Sequence, residues 1–346
     1  MAYISFKPQD YYNTKLYDGT GASNAVTGVG FTPDFVWCKD RDGDVNSSVC
    51  DTVRAATKTL ISNTNGVEET YTEGLKSFDS DGFTVGTQGF INTNNNNYVS
   101  YNWKAGTTTV PSGGSITPSA VTINTTSKQG IYKYTGTGAN ATIAHGLGAV
   151  PEFMMVKNLD TTNDWQIYHM AKGADWRAHL NTTAAFTDNA TGWNDTAPTS
   201  TLFSLGTNTN GNQSGDEMVA YVWAAVKGYS KFGMYEGTGS SSATPYIWTG
   251  FRPAWIMIKS YNNTHNWAIY DDKRLGQNAT SNKGNASISA NLTSTEQKDD
   301  DIDIFANGFR PRVTSNQVNG SSWLYAYAAF ASNPMVGSNG NAALGR

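Results

Sequence analysis

Short apolar runs recur along the chain, and each is closed by a lysine. They lie at Phe35–Lys39, Phe153–Lys157 and Trp255–Lys259. Apolar runs of this length are typical of strands buried on both faces of a sandwich. A second pattern, in which aromatic and small residues are interleaved, occupies Tyr98–Trp103, Val219–Trp223 and Trp323–Tyr327. Together the two patterns predict several short strands rather than long helices.

Turn signals separate these runs. The segments Phe78–Phe83 and Phe305–Phe309 place Asp-Gly or Asn-Gly between apolar residues. These dipeptides are the strongest short-range hairpin signal, because a type I′ turn needs positive φ at both central residues. The one helix candidate, Asp51–Ser62, is short. We therefore expect an all-β fold with little helix.

The patterns repeat three times. Each copy begins with a tyrosine before a Gly-Thr-Gly sequence and continues to one of the lysine-closed runs. From copy to copy the tyrosine moves by 117 and then 101 residues, and the lysine by 118 and then 102. Such a shared shift is the signature of an internal repeat. We expect three tandem β-sandwich-like, jelly-roll-like repeats, with the Gly-Thr-Gly sequences as turns.

The repeats suggest a domain organisation. We place an N-terminal tail at 1–12, the first repeat at 13–106 and a linker rich in Thr, Gly, Ser and Pro at 107–118. The second and third repeats follow at 119–227 and 228–333, joined directly and therefore rigidly coupled, and a C-terminal tail covers 334–346.

Composition excludes several classes of protein. Charged residues make up 15% of the 346 residues, against about 25% in a typical domain. The chain instead holds 42 Thr, 34 Asn and 35 Gly, and 12% of it is aromatic. So many aromatics argue against disorder, and a net charge of −4 argues against nucleic-acid binding. No apolar stretch approaches the roughly 18 residues that span a bilayer.

The N-terminus and the cysteines bear on the compartment. Met1–Asp10 lacks an apolar core, so we expect no secretion signal and no N-glycosylation of the Asn-x-Thr sequences. A hairpin turn centred near Asp44 would place Cys38 and Cys50 opposite each other. A disulfide is geometrically possible there, but without secretion we expect two buried free thiols.

The titratable residues do not form a recognisable catalytic or metal site. His145, His169, His179 and His265 lack ligand partners at zinc spacing. The acidic segments Asp40–Asp44 and Asp299–Asp303 only superficially resemble calcium loops, and we interpret both as charged turns. We expect no metal, no cofactor and no enzymatic activity.

Two acid–base pairs occur at matched positions, namely Asp51 with Arg54 and Asp271 with Arg274. A catalytic acid and its partner would fit this pattern. The repetition instead favours a structural salt bridge, or charge capping of one helical turn.

The tryptophans divide into two groups. Trp37, Trp103, Trp223, Trp255 and Trp323 lie within strand runs and are expected in the core. Trp176 and Trp193 occur near polar loops and only in the second repeat. They are our candidate contacts for a glycan or a protein partner.

Several phrases resemble a known family. These are Met1–Asp10, the run at Gly30–Trp37, Lys76–Gly86, Tyr98–Gly106, Trp193–Ser200, Gly228–Gly233 and Asp301–Phe309. They are similar to repeat-bearing virion proteins of marine tailed phages, especially cyanophages, which are usually described as tail-fibre-like or structural. The resemblance covers nearly the whole chain, and it carries over no catalytic or receptor-binding residues.

The resemblance implies a non-enzymatic virion structural protein assembled in the host cytoplasm, most readily a tail fibre or adhesin that contributes to host attachment. The alternatives are a capsid decoration or capsid-attached fibre protein, and, in another class, a carbohydrate-active depolymerase. Expected partners are other virion proteins, further copies of the chain in a homo-oligomer, with a trimer favoured, and a host surface glycan. Neither nucleic-acid binding nor membrane insertion is expected.

Overall fold

A computed structural model describes residues 4–274, 286–297 and 301–334, with the side chains of residues 332–334 outside the description. The expected all-β fold is confirmed. Among the described residues, helix is confined to a 3₁₀ turn at Pro8–Asp10 and to α1 (Gly89–Asn92), α2 (Ala190–Trp193) and α3 (Thr209–Asn212). In the part of the chain that is described, no helix has the length and apolarity to cross a membrane.

The strands fall into three segments, 12–103, 120–223 and 230–334. The first segment contains β1 (Tyr12–Asp18), β2 (Asn24–Thr27), β3 (Phe35–Asp40), β4 (Ser48–Asp51), β5 (Lys58–Ile61), β6 (Glu69–Thr70), β7 (Leu75–Asp79), β8 (Gly82–Val85) and β9 (Asn97–Trp103). The second contains β10 (Ala120–Asn124), β11 (Gln129–Thr135), β12 (Ala141–Ala144), β13 (Phe153–Asn158), β14 (Gln166–His169), β15 (Trp176–His179), β16 (Thr187–Asp188), β17 (Leu202–Leu205) and β18 (Glu217–Trp223). The third contains β19 (Ser230–Glu236), β20 (Ile247–Trp248), β21 (Phe251–Ser260), β22 (Ala268–Asp271), β23 (Ile288–Ser289), β24 (Ile302–Phe305), β25 (Gly308–Pro311) and β26 (Leu324–Pro334).

Each segment builds one main sheet and one small sheet. The main sheets have the orders β1-β9-β3-β4-β5-β6, β10-β11-β18-β13-β14-β15-β16 and β19-β26-β21-β22-β23. The small sheets are β2-β8-β7, β12-β17 and β20-β25-β24. In each main sheet the last strand of the segment lies in the same place, between β1 and β3 or their counterparts. This shared order agrees with the predicted repeat, whose boundaries stay a prediction.

The lysine-closed runs are buried because both faces of the main sheet are covered. Along β3, Phe35 and Trp37 point into a core shared by all three segments, and Val36 and Cys38 point into a core against the small sheet. Successive strand residues face opposite sides of a sheet, so a strand between two cores is apolar throughout. The closing lysine is buried as well, and Lys39 Nζ donates to the carbonyl oxygens of Val45, Leu292 and Thr293.

The three main sheets meet around one apolar cavity of about 10 Å³. Nine residues line it, three from each segment: Phe35, Trp37, Trp103, Phe153, Met155, Trp223, Trp255, Met257 and Phe330. Strand register makes them equivalent, because the pairs Phe35–Trp103, Phe153–Trp223 and Trp255–Phe330 are directly opposite on neighbouring strands. An apolar void of this size holds no stable water. The centre of the molecule is therefore a dry aromatic core with approximate threefold symmetry.

Polar contacts between segments run in one rotational direction. Tyr221 of the second segment donates to Asp51 of the first, and Tyr101 of the first donates to Asp271 of the third. His169 of the second segment contacts the carbonyl oxygen of Tyr327 of the third. Each segment thus contacts both others, and the three form a closed ring.

The structure corrects the helix expected at Asp51–Ser62. This stretch contains the end of β4, a turn and β5. The Asp51 carboxylate accepts the backbone N–H groups of Val53 and Arg54, which bends the chain into an Asx-type turn. Asp51 and Arg54 therefore form a salt bridge across a turn, without a helix to cap.

Both predicted hairpins are present, but their turns lie one residue earlier than expected. Asp79 pairs with Gly82, and Phe305 pairs with Gly308, so the glycine begins the second strand. A Cβ at Gly82 or Gly308 would overlap the carbonyl oxygen of Val26 or Ile247 on the neighbouring strand. Glycine is therefore needed at these two positions because a neighbouring strand lies close to the backbone, rather than because of the turn.

Cys38 and Cys50 are buried free thiols, as expected, but they are not directly opposite each other. Cys38 pairs with Ser48, and Cys50 pairs with Val36. The difference arises because Asp40 accepts the N–H groups of Asp42 and Gly43 and so centres the turn one residue earlier. Burial raises the pKa of both thiols, that of Cys50 to about 11.

Parts of the predicted tail, from residue 4 onward, and of the predicted linker pack against the strands. Phe6 in the tail contacts Tyr11 and Tyr229 edge-on, with ring centroids 4.8 and 5.3 Å apart. Ile116 in the linker is buried and forms a bridge with Ile143 of the second segment. The predicted tail at 334–346 lies outside the described residues beyond Pro334.

Candidate functional site

Two buried clusters of charged groups lie between segments. In the first, Arg54 Nε is 2.5 Å from Asp51 Oδ2, and the Tyr221 hydroxyl donates to the same oxygen at 2.7 Å. The second cluster has the same geometry, with Arg274 2.5 Å from Asp271 and the Tyr101 hydroxyl at 3.1 Å.

Every member of these clusters is committed to a structural contact. Although burial disfavours the charged guanidinium, Asp51 raises the pKa of Arg54, so the guanidinium stays charged at any ordinary pH. Both carboxylates are enclosed, which leaves no free acid for proton transfer to a substrate. Both clusters contain the predicted salt bridge, and each also joins two segments through a tyrosine hydroxyl, which the sequence did not predict.

The third contact between segments is built differently. His169 stands where the other segments have Asp51 and Asp271, and Ala328 stands where they have Tyr101 and Tyr221. The His169 Nε2 atom lies 3.0 Å from the Tyr327 carbonyl oxygen. Burial lowers the pKa of His169 to about 4, so its imidazole is neutral at pH 7.

The other histidines and acidic segments hold the backbone. His145 Nδ1 accepts the N–H of Leu147, and His179 lies 3.2 Å from Asp164. In the acidic turn that starts at Asp40, Asp42 accepts two donors from Asn97. Of the second acidic segment, Asp299 and Asp300 lie outside the described residues. Within 4–274, 286–297 and 301–334, no group of three or more His, Cys, Asp or Glu is placed to hold a metal ion.

The two predicted contact residues are not equivalent in the structure. Trp193 is 1% exposed and packs edge-on against Tyr168, so it cannot offer a ring face to a ligand. Trp193 is the last residue of α2, and its indole is buried in the core of the second segment. Trp176 is half-buried, and Lys172 Nζ lies 3.5 Å above its ring. The structure thus buries Trp193 and leaves Trp176 with one ring face already occupied.

Sequence reasoning missed three buried asparagines that hold the Gly-Thr-Gly turns. Asn92, Asn212 and Asn319 each accept the N–H of the turn threonine through Oδ1. Each also donates from Nδ2 to two backbone carbonyls. A signal was available, because each asparagine precedes Tyr98, Met218 or Tyr325 by six residues.

A different surface stands out in the third segment. We call it the aromatic face, and it consists of Lys231, Tyr246, Trp248, Phe305 and Arg310. Tyr246 and Trp248 are 48% and 49% exposed, among the most exposed large apolar side chains of the described residues. They lie on either side of the buried Ile247, with Trp248 in β20 and Tyr246 just before it, and both side chains reach solvent.

Neighbouring strands complete the aromatic face. Gly308 pairs with Trp248 on one side and with Phe305 on the other. Directly paired residues lie on the same side of a sheet, so the two rings flank Gly308. The Tyr246 hydroxyl lies 3.1 Å from the place where a Cβ of this glycine would be. Arg310, two residues further along β25, lies on the same side.

The first and second segments have no counterpart of this face. Ile247, Val26 and Ile143 occupy matched positions, since each pairs with a phenylalanine of the next strand. The residues beside them are Tyr246 and Trp248 in the third segment, Ala25 and Thr27 in the first, and Thr142 and Ala144 in the second. The exposed aromatics are therefore not required to build the small sheet.

Cations hold the rings of the aromatic face. Lys231 Nζ lies 4.7 Å from the Trp248 ring centre, and the Arg310 guanidinium lies 5.4 Å from that of Phe305. Burial lowers the pKa of Lys231, although the nearby Glu152 opposes this shift. Arg310 Nε also contacts Asp303 at 3.2 Å, whose side chain is only 8% exposed. Arg310 thus faces solvent, whereas Asp303 faces inward.

These observations define the class as an all-β protein in which three antiparallel main sheets enclose one aromatic core. The chain belongs to the family described as a domain of unknown function, DUF7483, whose model matches residues 7–334. No curated protein matches the chain.

Proposed function

We propose that the protein is a non-enzymatic structural protein of the surface of a tailed-phage virion, with a role in host attachment. The observation that carries this proposal is the closed ring of three segments around a dry aromatic core. A body of this kind is rigid, because its cores are close-packed and its segments are linked by buried hydrogen bonds. Rigidity suits a particle component that bears load and presents surface features at fixed positions.

The polar groups support a structural role. The buried acids of both interface clusters are paired with arginines, and the acids at Asp40 and Asp42 accept backbone or amide donors. A hydrolase of polysaccharide needs two acids that face each other across a sugar, one of them with a raised pKa. These four carboxylates serve the fold instead.

Capsid decoration is the second candidate, and the threefold arrangement favours it. A single chain that presents three similar segments around an axis matches the symmetry of a threefold or quasi-threefold site on a capsid. As a decoration protein, the chain would occupy such a site as a monomer.

The position in the particle can be tested directly. Purified virions labelled with an antibody against this chain should show the label at the distal tail for a fibre, or over the whole capsid for a decoration protein. Virions that carry neither the label nor peptides of this chain by mass spectrometry would overturn the proposal.

The oligomeric state distinguishes a tail fibre from a capsid decoration protein. A fibre built as a homotrimer should have three times the 37.3 kDa chain mass by light scattering at micromolar concentration. A monomeric mass would count against the trimer and favour the decoration variant.

A further inference from the structure

We propose that the aromatic face of the third segment binds an acidic oligosaccharide, one that carries carboxylate, sulfate or phosphate groups. This inference goes beyond the proposed function and does not depend on it. It rests on the exposed rings and on the cations beside them.

The rings have the arrangement that a sugar chain requires. Tyr246, just before β20, and Trp248 are two residues apart, a spacing of roughly 7 Å in extended chain. Phe305 stands across Gly308 from Trp248 and packs against the Tyr246 ring, so the three rings form one aromatic patch. The negative face of an aromatic ring attracts the positively polarised C–H groups of a pyranose.

The rings are fixed before any ligand arrives. Lys231 Nζ lies above Trp248 and also donates to its carbonyl oxygen at 2.6 Å. The rings of Tyr246 and Phe305 are 5.6 Å apart, and the Tyr246 hydroxyl donates to Asn307. Ordering these side chains on binding therefore costs little conformational entropy, which favours a weakly contacting ligand such as a glycan.

The charges select an acidic sugar. The Arg310 side chain is 49% exposed and uses Nε for its contact with Asp303, so its terminal N–H groups face solvent. Arginine binds planar carboxylates and sulfate- or phosphate-like groups through paired hydrogen bonds. Because the side chain of Asp303 is almost fully covered, Arg310 is the charge of this pair that a ligand meets.

A second copy of the chain fits this surface less well. A stable protein interface buries about 800 Å² on each partner. Three rings with charged neighbours supply a small part of that area. The size and the charge of the aromatic face match a short oligosaccharide better.

Binding can be measured by calorimetry with the full chain and two matched probes, oligogalacturonate and its methyl ester. The first is acidic and the second is neutral on the same sugar rings. Heparin oligosaccharides serve as a sulfated probe. We expect the acidic probes to bind and the ester to bind at least about tenfold more weakly.

Variants locate the site. Trp248→Ala and Tyr246→Ala should each weaken binding of the acidic probe by about tenfold or more. Arg310→Gln should remove the preference for acid over ester while retaining residual binding. The matched control Thr27→Ala, at the place of Trp248 in the first segment, should bind as the unaltered protein does. Thr27 and Trp248 are exposed, so both variants should fold.

Three results would overturn the inference. They are a lack of binding by all three probes, equal affinity for acid and ester, or unchanged affinity in Trp248→Ala. A dimer that dissociates in Trp248→Ala would show instead that the face is an interface between copies. Because these readouts use the purified chain, they are independent of where the protein lies in a particle.

Discussion

At the scale of single residues, buried polar side chains determine the turns of this protein. Asn212 is 1% exposed and bonds to three backbone groups, with Thr137 N at 2.7 Å and the carbonyl oxygens of Ala139 and Gly206 at 2.6 and 2.8 Å. A buried backbone group that loses its partner costs about 1–3 kcal/mol. One asparagine thus fixes a turn that would otherwise hold several unsatisfied groups.

Asn212→Ala should therefore lower the free energy of unfolding by about 2–5 kcal/mol. Urea unfolding followed by tryptophan fluorescence measures this change. Asn140→Ala is the matched control, because Asn140 is exposed and lies beside the same turn, and it should change stability by less than about 0.5 kcal/mol. Equal stability of the two variants would contradict the role given to Asn212.

His169 makes stability depend on pH. Burial lowers its folded-state pKa to about 4, below the unfolded value of about 6.5. The unfolded chain therefore binds more protons between these values, and stability is lost as pH falls from about 6.5 to 4. The full effect is about 3 kcal/mol.

His169→Gln keeps a donor for the Tyr327 carbonyl oxygen and does not titrate. The difference in unfolding free energy between the protein and this variant should shift by about 3 kcal/mol between pH 7 and pH 4. Using the difference cancels the titration of other groups, such as Asp164. Parallel pH profiles for both proteins would show that His169 is not responsible.

At the scale of elements, close approach between strands sets where glycine is needed. Gly82 has φ of 147°, and a Cβ there would overlap Val26 O on β2. Any side chain at this position must push β2 away from β8 and open the core behind the small sheet. The same relation holds for Gly308 and β20.

Gly82→Ala should cost about 2–4 kcal/mol, as expected for a strained backbone combined with a displaced strand. Thermal unfolding monitored by circular dichroism gives the measurement. Gly66→Ala is the control, since its Cβ would meet only the Thr64 hydroxyl at an ordinary contact distance of 3.4 Å. If both variants melt at the same temperature, the close-approach argument fails.

The sequence was informative where structure depends on nearby residues. The buried strands, the two hairpins, the Gly-Thr-Gly turns and the Asp51–Arg54 salt bridge all follow from local patterns. The helix expected after Asp51 was wrong because one carboxylate bends the backbone there, a detail that propensity does not show.

The candidate site was harder to predict. Trp193 and Trp248 both lie near polar residues in the sequence, yet one is buried and the other is exposed. Only the fold determines which side of an element meets solvent. The contacts between segments also join residues that are far apart in the chain, as Tyr101 and Asp271 are, and no single-sequence pattern marks such pairs.

At the scale of the whole molecule, the three interfaces are similar but not identical. Two use a tyrosine that donates to a buried carboxylate, and the third uses His169 against a backbone carbonyl. The loss of tyrosine at Ala328 coincides with the loss of the acid at His169. At each interface the buried polar side chain thus has a hydrogen-bond partner, as buried polar groups require.

Tyr221→Phe and Tyr101→Phe each leave one carboxylate oxygen with a partner fewer. Each variant should lose about 1–2 kcal/mol of stability, and because the ring is closed the whole chain should melt earlier. Tyr246→Phe, whose hydroxyl is at the surface, is the control for removal of an oxygen. A separate early transition in either interface variant would mean that the segments unfold independently.

The central feature of the molecule is that its three segments form one body around a shared aromatic core. Differential scanning calorimetry of the full chain tests it most directly. We predict a single transition whose van't Hoff enthalpy equals the calorimetric enthalpy, about 0.7 kcal/mol per residue near 60 °C. A van't Hoff enthalpy near one third of the calorimetric value, or three resolved transitions, would contradict the account.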